Sequence, residues 1–294
     1  MPSADIEAAN RCVVAVVGSL NLDLTALVTR APEDGETVLG RSLSTYPGGK
    51  GANQAIGAAE VASTAIVGAV GNDDAADTLR DAQRRAGVDT RHLTELDAAT
   101  GRAIVVLAED GSNRIIVIGG ANGLLDPAYV TEALDELDPA VVLTQLELPP
   151  SVTHAVASWA RARQRRFVLN PSPTAPVAPE ILQVADPLVV NEHEAAYYAN
   201  TEPSTDIDAT VGRLLQRVPT VVVTRGGDDI VIGTNDGVEH IEVPRVDVID
   251  TTGAGDHFAG TLAALLGTGV SLRDAVVRAG ADAAALVATR REDR

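Results

Sequence analysis

The chain has 294 residues, 45% of them hydrophobic and 22% charged, and this composition excludes a wholly disordered, collagen-like or coiled-coil protein. Its formal net charge is −18, which argues against a partner made of nucleic acid or of anionic membrane lipid, because both repel an acidic surface. Aromatic residues make up only 2% of the chain, so the core must consist mainly of Val, Leu, Ile and Ala.

The N-terminal residues 1–11 are polar and Ala-rich without periodicity, and we interpret them as a loose segment ahead of a single domain over residues 12–294. The apolar run at 13–18 is too short for a signal-peptide core or a membrane span. The single cysteine, Cys12, cannot form an internal disulfide, which fits a reducing compartment. We therefore expect a cytoplasmic protein.

Short β-branched runs alternate with helical patterns along the chain. The predicted strands cover residues 13–17, 65–67, 141–143, 167–169, 188–190 and 221–223. The predicted helices cover residues 51–59, 75–86, 127–137, 151–163, 207–218, 256–266 and 271–288. This alternation predicts an α/β protein with a mainly parallel central sheet and helices on both faces.

Two regions interrupt the alternation and predict a second, smaller sheet. Residues 24–28 and 36–40 flank the turn-rich segment 32–35, and residues 103–107 and 114–118 flank the turn at 109–113. We expect these segments to form a β lid, inserted at about 24–48 and 100–120, over the carboxyl edge of the main sheet. Because lid strands would present open edges, pairing of two lids in a homodimer is expected.

The segment 251–256 is a Gly-rich turn that leads into a predicted helix, where unpaired amides and the helix dipole favour an anion. Asp256 could accept a hydroxyl proton there, while the amides of Gly253, Ala254 and Gly255 stabilise charge on a transferring phosphoryl group. The alternative is that Asp256 merely caps the helix and the glycines form the turn. The segment alone leaves both interpretations open.

A second Gly-rich turn, at 48–55, contains the only lysine of the chain, Lys50, against 22 arginines. The order of its residues differs from that of a Walker A loop, which argues against a P-loop NTPase. Asn53 falls one helical turn after Lys50, so both could face one polyhydroxylated ligand, or the lysine could simply be solvated. Asn21 and Asp23 follow the first strand and fit either ligand binding or turn formation.

Four segments together, 18–23, 48–55, 191–194 and 250–256, resemble the PfkB carbohydrate kinases in residue type, order and spacing. The likeness runs from about residue 13 to residue 289. It implies a ribokinase-like three-layer α/β/α sandwich with a small β-sheet lid. Within the family the chain is most similar to the kinases of D-ribose, which implies transfer of the γ-phosphate of ATP to the 5-hydroxyl of that sugar.

The resemblance also implies roles for individual residues. Asp256 is then the catalytic base, with Gly253, Ala254 and Gly255 as the anion hole. The positions that match sugar-binding residues are Asn21, Asp23, Gly49, Lys50, Asn53, Glu147 and Asp256. The positions that match nucleotide-binding residues are Asn191, Thr224, Gly226, Gly227 and Gly255. Glu194 would help to hold Mg²⁺ through water, and Asp250 and Thr252 would bind a monovalent cation such as K⁺. Without the family, Asn191 and Glu194 would be a helix capping box, and both interpretations can hold.

Two alternatives to the ribose kinase remain open. The chain could be another PfkB kinase, acting on deoxyribose, fructose, a sugar acid or a nucleoside, or a sugar-binding homologue with weakened catalysis. Members of the family usually continue with a Gly-Ala, Ser and Pro segment that completes the cation site, whereas this sequence ends at residue 294. In that case another region takes the place of this segment, or the cation site is weak, or the chain is a shortened product. A catalytic role for His257 and a zinc site are both disfavoured.

Overall fold

A computed structural model describes residues 12–110, 112–203 and 206–293, except for the side chain of residue 292. The predicted loose segment 1–11 lies outside these residues. The strands are β1 (Val14–Val17), β2 (Asn21–Val28), β3 (Gly40–Gly48), β4 (Thr64–Val70), β5 (Leu93–Glu95), β6 (Gly101–Ala108), β7 (Asn113–Ile118), β8 (Val141–Thr144), β9 (Arg166–Leu169), β10 (Ala185–Asn191), β11 (Val221–Thr224), β12 (Ile230–Thr234) and β13 (Gly237–Ile241). The helices are α1 (Lys50–Ala59), α2 (Asp74–Arg85), α3 (Pro127–Leu137), α4 (Pro150–Arg163), α5 (Pro179–Leu182), α6 (Glu192–Ala199), α7 (Ile207–Leu214), α8 (Ala254–Gly267) and α9 (Leu272–Val287). Short 3-10 helices cover Gly120–Leu124 and Arg291–Asp293.

The central sheet has nine strands in the order β13-β12-β11-β10-β9-β8-β1-β4-β5. Neighbours from β11 to β5 are parallel, and the hairpin β12-β13 adds two antiparallel strands at one edge. The mainly parallel sheet is therefore confirmed, while the hairpin and the short β5 were not predicted. All carboxyl ends of the parallel strands lie on one side, which is where ligands of open α/β sheets bind.

Helices cover both faces of this sheet and complete a three-layer α/β/α sandwich. On one face the core includes Trp159 of α4 and Leu214 of α7, and on the other Leu79 of α2 and Phe258 of α8. Both cores are rich in Val, Leu, Ile and Ala, as the low aromatic content required. No helix within the described ranges combines the length and apolarity needed to cross a bilayer.

Helices α1 and α8 pack directly against each other on one face of the sheet. A Cβ atom at Gly260 would lie 2.0 Å from the backbone oxygen of Gln54, so only glycine permits this close approach. The hydroxyl of Thr261 donates to the backbone oxygen of Gly57 (3.3 Å) across the same contact. The packing places the first turns of the two helices side by side.

The second sheet has four strands in the order β3-β2-β6-β7, with antiparallel outer pairs and a parallel central pair. The prediction of a strand at 36–40 is wrong. The strand β3 begins at Gly40, ends at Gly48 and pairs with β2. Glu36 lies in the preceding loop, where its carboxylate accepts hydrogen bonds from Arg30 and from the amide of Glu33. These bonds close a local turn instead of extending the strand.

Candidate active site

A polar cavity of about 160 Å³ opens at the carboxyl edge of the central sheet, between the starts of α1, α6 and α8. Strand ends and helix starts meet there because parallel strands and their crossover helices all point the same way. The cavity brings together residues that the sequence places far apart. Its lining consists of Lys50, Asn170, Ser172, Val189, Val190, Asn191, Glu194, Thr224, Gly253, Gly255 and Asp256.

Asp256 is the third residue of α8, and it does not cap that helix. The N-cap is Gly253, whose φ of 77° suits glycine, and the cap has no side-chain hydrogen bond. The carboxylate of Asp256 instead accepts a hydrogen bond from Nδ2 of Asn53 (3.1 Å), and its Oδ1 lies 3.8 Å from Nζ of Lys50. The capping interpretation of Asp256 is therefore wrong, and the carboxylate faces the cavity.

The environment of Asp256 changes its acidity. The residue is only 8% exposed, and burial raises the pKa of its carboxyl, while Lys50 and Asn53 act in the opposite direction. A carboxylate that is buried yet held ionised by a cation and an amide donor can accept a proton from a ligand hydroxyl. Asp256 has the chemistry of a general base.

Lys50 is the first residue of α1, and its ammonium group lies among three carboxylates. Burial by itself lowers the pKa of Lys50, but Asp256, Glu147 and Glu194 outweigh burial, so the pKa is raised and the ammonium stays charged. The cation reduces the negative potential that the carboxylates create. A cavity of this kind can accept an anionic group despite the charge of the whole chain.

The N-terminus of α8 forms one wall of the cavity at Gly253 and Gly255. The first amides of a helix have no acceptor inside the helix, and they carry the positive end of its dipole. Because Gly255 carries no side chain, an anion can approach these amides closely. This wall suits a phosphate or another oxyanion.

Glu147 lies in the loop after β8, as the sequence predicted, and its carboxylate is held in place from two sides. The hydroxyl of Ser19 donates to Oε2 of Glu147 over 2.5 Å, and the amide of Lys50 donates to the same oxygen over 3.2 Å. The sequence analysis gave Ser19 no role, although this residue belongs to the segment 18–23 and lies two residues after the end of β1. The three residues link the loops after β1 and β8 to the start of α1.

Asn21 and Asp23 lie on β2, with the amide of Asn21 fixed by a buried neighbour. Nδ2 of Asn122 donates to Oδ1 of Asn21 (2.9 Å), and Asn122 also bonds to both backbone groups of Leu20. Asn122 was not predicted as a site residue because it lies on a 3-10 helix far away in sequence. The carboxylate of Asp23 lies beside Gly48 and accepts a hydrogen bond from Arg291.

Asn191 and Glu194 form the expected capping box at the start of α6. The side chain of Asn191 accepts from the amide of Glu194, and the side chain of Glu194 accepts from the amide of Asn191, both over 2.9 Å. The mostly buried Glu194 also lines the polar cavity. The carboxylate of Glu194 therefore helps to cap the helix and also faces the cavity.

A second, apolar cavity of about 550 Å³ adjoins the polar one and shares Thr224 and Gly255 with it. Gly226 and Gly227, predicted as nucleotide-binding residues, lie on its wall. Its apolar side chains come from Ile230, Val243, Val246, Val248, Phe258 and Val287. The sequence did not single out these residues, because they come from four separate segments that meet only in the fold.

Asn170 and Ser172 are two further cavity residues that the sequence analysis missed. Oδ1 of Asn170 accepts from Nε2 of Gln54 (3.2 Å), and its Nδ2 donates to the backbone oxygen of Val189 (2.9 Å). Both residues follow the end of β9 at the same edge of the sheet. Their position after a buried parallel strand is the signal that could have identified them.

The sequence profile of the pfkB family carbohydrate kinases matches residues 13–294, which is nearly the whole chain. The chain belongs to this family. The Bacillus subtilis ribokinase is 34% identical to it over 269 residues, covering 90% of this chain and 88% of the relative. The Mus musculus ribokinase is 34% identical over 259 residues, covering 85% and 80%.

Solved structures agree with this membership of the pfkB family. The ribokinase of Thermotoga maritima superposes with a TM-score of 0.86 at 29% identity, covering 95% of this chain and 93% of its own. The Arabidopsis thaliana ribokinase complexed with ribose and ATP gives a TM-score of 0.85 at 29% identity, covering 95% and 94%. The three-layer fold with a small separate sheet is therefore the ribokinase-like fold.

In this pfkB-family chain, Asp250 and Thr252 lie apart from the polar cavity. The amide of Thr252 donates to Oδ1 of Asp250 (2.8 Å), and both residues line a third cavity, of about 690 Å³, together with Arg290 and Arg291. Among the residues described, no three His, Cys, Asp or Glu side chains form a metal-binding cluster.

His257 follows the candidate base in sequence but faces away from it. It is largely buried, and its Nε2 lies 3.6 Å from Oε2 of Glu60 at the end of α1. The helical spacing explains this, because consecutive helix residues point about 100° apart. Asp256 faces the cavity, whereas His257 packs on the neighbouring helix.

Proposed function

We propose that this chain is an ATP-dependent ribokinase, which transfers the γ-phosphate of ATP to the 5-hydroxyl of D-ribose and releases ribose 5-phosphate. The observation that carries the proposal is the buried carboxylate of Asp256, held by Lys50 and Asn53 at the N-terminus of a helix. The proton acceptor and the anion-binding end of the helix therefore lie close enough to act on the same reacting group. The ribokinases of Bacillus subtilis and mouse support the choice of sugar.

The sugar would bind on the side of Asp256 that faces the four-stranded sheet. Asn21, Asp23 and Glu147 supply amide and carboxylate groups there, and Gly49, Lys50 and Asn53 complete the set. A sugar carries hydroxyl groups on neighbouring carbon atoms, and a carboxylate or amide group can form hydrogen bonds with two of them at once. Asp256 would take the proton from the 5-hydroxyl as its oxygen attacks the γ-phosphorus of ATP. The bond from that phosphorus to the β,γ-bridging oxygen would break, so that ADP leaves and the phosphoryl group stays on the sugar as a phosphate ester.

ATP would occupy the two joined cavities, with its base in the apolar cavity and its phosphates in the polar one. Asn191, Thr224, Gly226 and Gly227 would contact the nucleotide. The amides at Gly253 and Gly255 would stabilise the charge on the transferring phosphoryl group, whereas the amide of Ala254 donates to the backbone oxygen of Thr251 (3.2 Å) in this structure. The Arabidopsis thaliana structure of a ribokinase with ribose and ATP supports the use of this nucleotide.

The residues present fit Mg²⁺ bound together with a nucleotide. Mg²⁺ usually keeps several waters and needs only one or two carboxylates besides phosphate oxygens, and Glu194 is a buried carboxylate on the cavity wall. We propose that Glu194 holds the ion through water. When bound, Mg²⁺ neutralises charge on the phosphates, and the proton of the sugar still goes to Asp256.

The residues fit a monovalent cation such as K⁺ only in part. Asp250 and Thr252 offer oxygen atoms, but the guanidinium-bearing residues Arg290 and Arg291 line the same cavity. Their positive charge weakens the attraction of this cavity for a further cation. We therefore propose at most a small effect of K⁺ on turnover.

We further propose that the four-stranded sheet, with the segments at about 24–48 and 100–120, is a lid on a single kinase domain. Closure would exclude water and favour transfer to the sugar over hydrolysis of ATP.

The outer strands of the four-stranded sheet carry exposed apolar side chains, among them Leu43 (69% exposed) on β3 and Ile116 (60% exposed) on β7. Pairing of two lids in a homodimer would cover them.

The experiment is an ADP-release assay with ATP, Mg²⁺ and a panel of D-ribose, deoxyribose, fructose, a sugar acid and adenosine, with and without K⁺. We expect D-ribose to give the highest kcat/KM. A higher value for another sugar would assign a different specificity within the family. Sugar binding without release of ADP from any member of the panel would favour the sugar-binding homologue and overturn the proposal.

A further inference from the structure

Arg291, on the 3-10 helix after α9, is tied to the predicted sugar-binding carboxylate of Asp23. Its Nη2 donates to Oδ2 of Asp23 over 2.6 Å and to the backbone oxygen of Pro47 over 3.3 Å. Its Cζ lies 4.6 Å from the centre of the Tyr46 ring. The C-terminal end of the described chain therefore reaches the four-stranded sheet beside the sugar-binding residues.

The guanidinium of Arg291 contacts two residues that are neighbours in the four-stranded sheet. Asp23 on β2 and Tyr46 on β3 are directly paired across the two strands. An arginine that stacks on an aromatic ring while it bonds a carboxylate loses most of its freedom to rotate. With side chains only 19% and 14% exposed, Arg291 and Asp23 form a well-shielded ion pair.

This pairing matters for the ionisation of Asp23. Burial raises the pKa of the Asp23 carboxyl, Arg291 lowers it through its hydrogen bond and charge, and the nearby Glu147 raises it. A buried carboxylate without a cation would tend to take up a proton, and it would then lose acceptor capacity for sugar hydroxyls. The positive charge of Arg291 opposes this uptake of a proton by Asp23.

The geometry also leaves part of the carboxylate for a ligand. The bond from Arg291 uses Oδ2, and Oδ1 of Asp23 accepts no hydrogen bond from any residue in the described ranges. Both oxygens lie against Gly48, where a side chain would leave no room. One oxygen is therefore fixed and the other remains able to accept a hydroxyl.

We propose that Arg291 is a positioning residue for sugar recognition, which fixes Oδ2 of Asp23 and leaves Oδ1 to accept a sugar hydroxyl. The inference rests on the proposed sugar kinase function and adds a residue from the C-terminal segment to it. Arg291 acts through Asp23, so it affects the binding of sugar and leaves phosphoryl transfer unchanged once the sugar is bound.

The test compares steady-state kinetics with D-ribose and ATP for the full chain and for three variants, Arg291→Met, Arg291→Lys and the control Arg273→Met. Methionine keeps an apolar stem against Tyr46 but lacks the charge. Arg273 is an exposed arginine of α9 that pairs with Glu239 and Asp274, so its loss changes the net charge equally. Thermal unfolding of each variant checks that it is folded.

For Arg291→Met we expect KM for ribose to rise by about tenfold, with kcat and KM for ATP changing by less than about twofold, because a charge-assisted hydrogen bond is lost. Arg291→Lys should recover part of the KM, since it keeps the charge but not the planar group. Arg273→Met should match the wild type.

A double-mutant cycle decides whether Arg291 acts through Asp23. In an Asp23→Asn background, Arg291→Met should raise KM for ribose by less than about twofold further. An equal rise in both backgrounds, an unchanged KM in the single variants, or a lower KM in Arg291→Met would overturn the inference; the last result would mean that arginine competes with sugar. A wild-type chain that phosphorylates no sugar would instead contradict the proposed function.

Discussion

Nδ2 of Asn53 donates a hydrogen bond to Oδ2 of Asp256 over 3.1 Å, although the two residues are 203 positions apart in the sequence. The bond joins the first turn of α1 to the first turn of α8, and the close packing of these helices at Gly260 makes it possible. A neutral amide donor favours the ionised form of a buried carboxylate. Asn53 therefore influences the group that we assign as the base, in addition to its proposed contact with sugar.

Replacing Asp256 by Asn should remove most turnover and leave sugar binding largely intact. The amide keeps the shape of the side chain but cannot accept the hydroxyl proton, and loss of a general base typically costs 10² to 10⁴ in rate, so we expect a fall of roughly 10³-fold. Single-turnover kinetics and ribose calorimetry measure the two effects. Asp282→Asn, on the exposed part of α9, is the charge-matched control. Turnover near the wild-type value would refute the assignment of the base.

The pH profile should report the raised pKa of Asp256. The base works only when ionised, so kcat/KM should fall as the pH drops through a pKa above the usual range of aspartate. In Asn53→Ala the carboxylate loses a donor that lowers its pKa, and the acidic limb should move to higher pH. Profiles of kcat/KM against pH for the two proteins measure this. An acidic limb that stays in place would show that Asn53 does not tune the base.

Alanine at two glycines of the same turn should have different effects. Gly253 has a φ of 77°, so Gly253→Ala should lower the free energy of unfolding by about 1 kcal/mol. Gly255 has ordinary backbone geometry and no atom near its missing Cβ, so Gly255→Ala should fold normally but place a methyl group in the phosphate cavity and raise KM for ATP. Chemical denaturation and ATP titration separate the two effects. Equal loss of stability in both variants would contradict this prediction.

Replacing Glu194 by Gln should separate its two roles. Glutamine can still accept from the amide of Asn191, so the capping box and the melting temperature should be nearly unchanged. The lost charge should raise the Mg²⁺ concentration needed for half-maximal turnover, by about fivefold to tenfold if one charge-assisted contact is weakened. A Mg²⁺ titration at saturating ATP measures it. An unchanged titration together with a lowered melting temperature would leave Glu194 as a capping residue only.

A charge on the outer strand of the four-stranded sheet should disrupt the proposed dimer. Ile116→Arg on β7 places a cation where an apolar side chain is 60% exposed, so pairing of two lids would bury an unpaired charge. We expect a dimeric wild type and a monomeric variant in light scattering coupled to gel filtration. Val277→Arg, on the exposed face of α9, controls for the added charge. A wild type that is monomeric at micromolar concentration would exclude the lid-paired dimer.

The fold followed from the sequence where the patterns were local. The short β-branched runs marked six strands of the central sheet, and the helix at residues 127–137 was predicted with the bounds of α3. Predictions failed where pairing depends on distant partners. Pro32 and Gly35 signalled a turn correctly, but the position of β3 is set by pairing with the full length of β2. The hairpin β12-β13 was missed for another reason, because Asn235, Asp236 and Gly237 between two apolar segments are a strong local turn signal that the sequence analysis did not use.

The sequence by itself determined the family, the mainly parallel sheet and the two Gly-rich turns, because each can be recognised from short segments and from their order along the chain. Only the tertiary structure decided that Asp256 faces Asn53 and Lys50 instead of capping α8, that Asn122 fixes Asn21, and that Arg291 pairs with Asp23. These contacts join residues that lie between 101 and 268 positions apart in the chain. Hydrogen bonds and ion pairs depend on distance in space, and packing of the whole sandwich sets that distance.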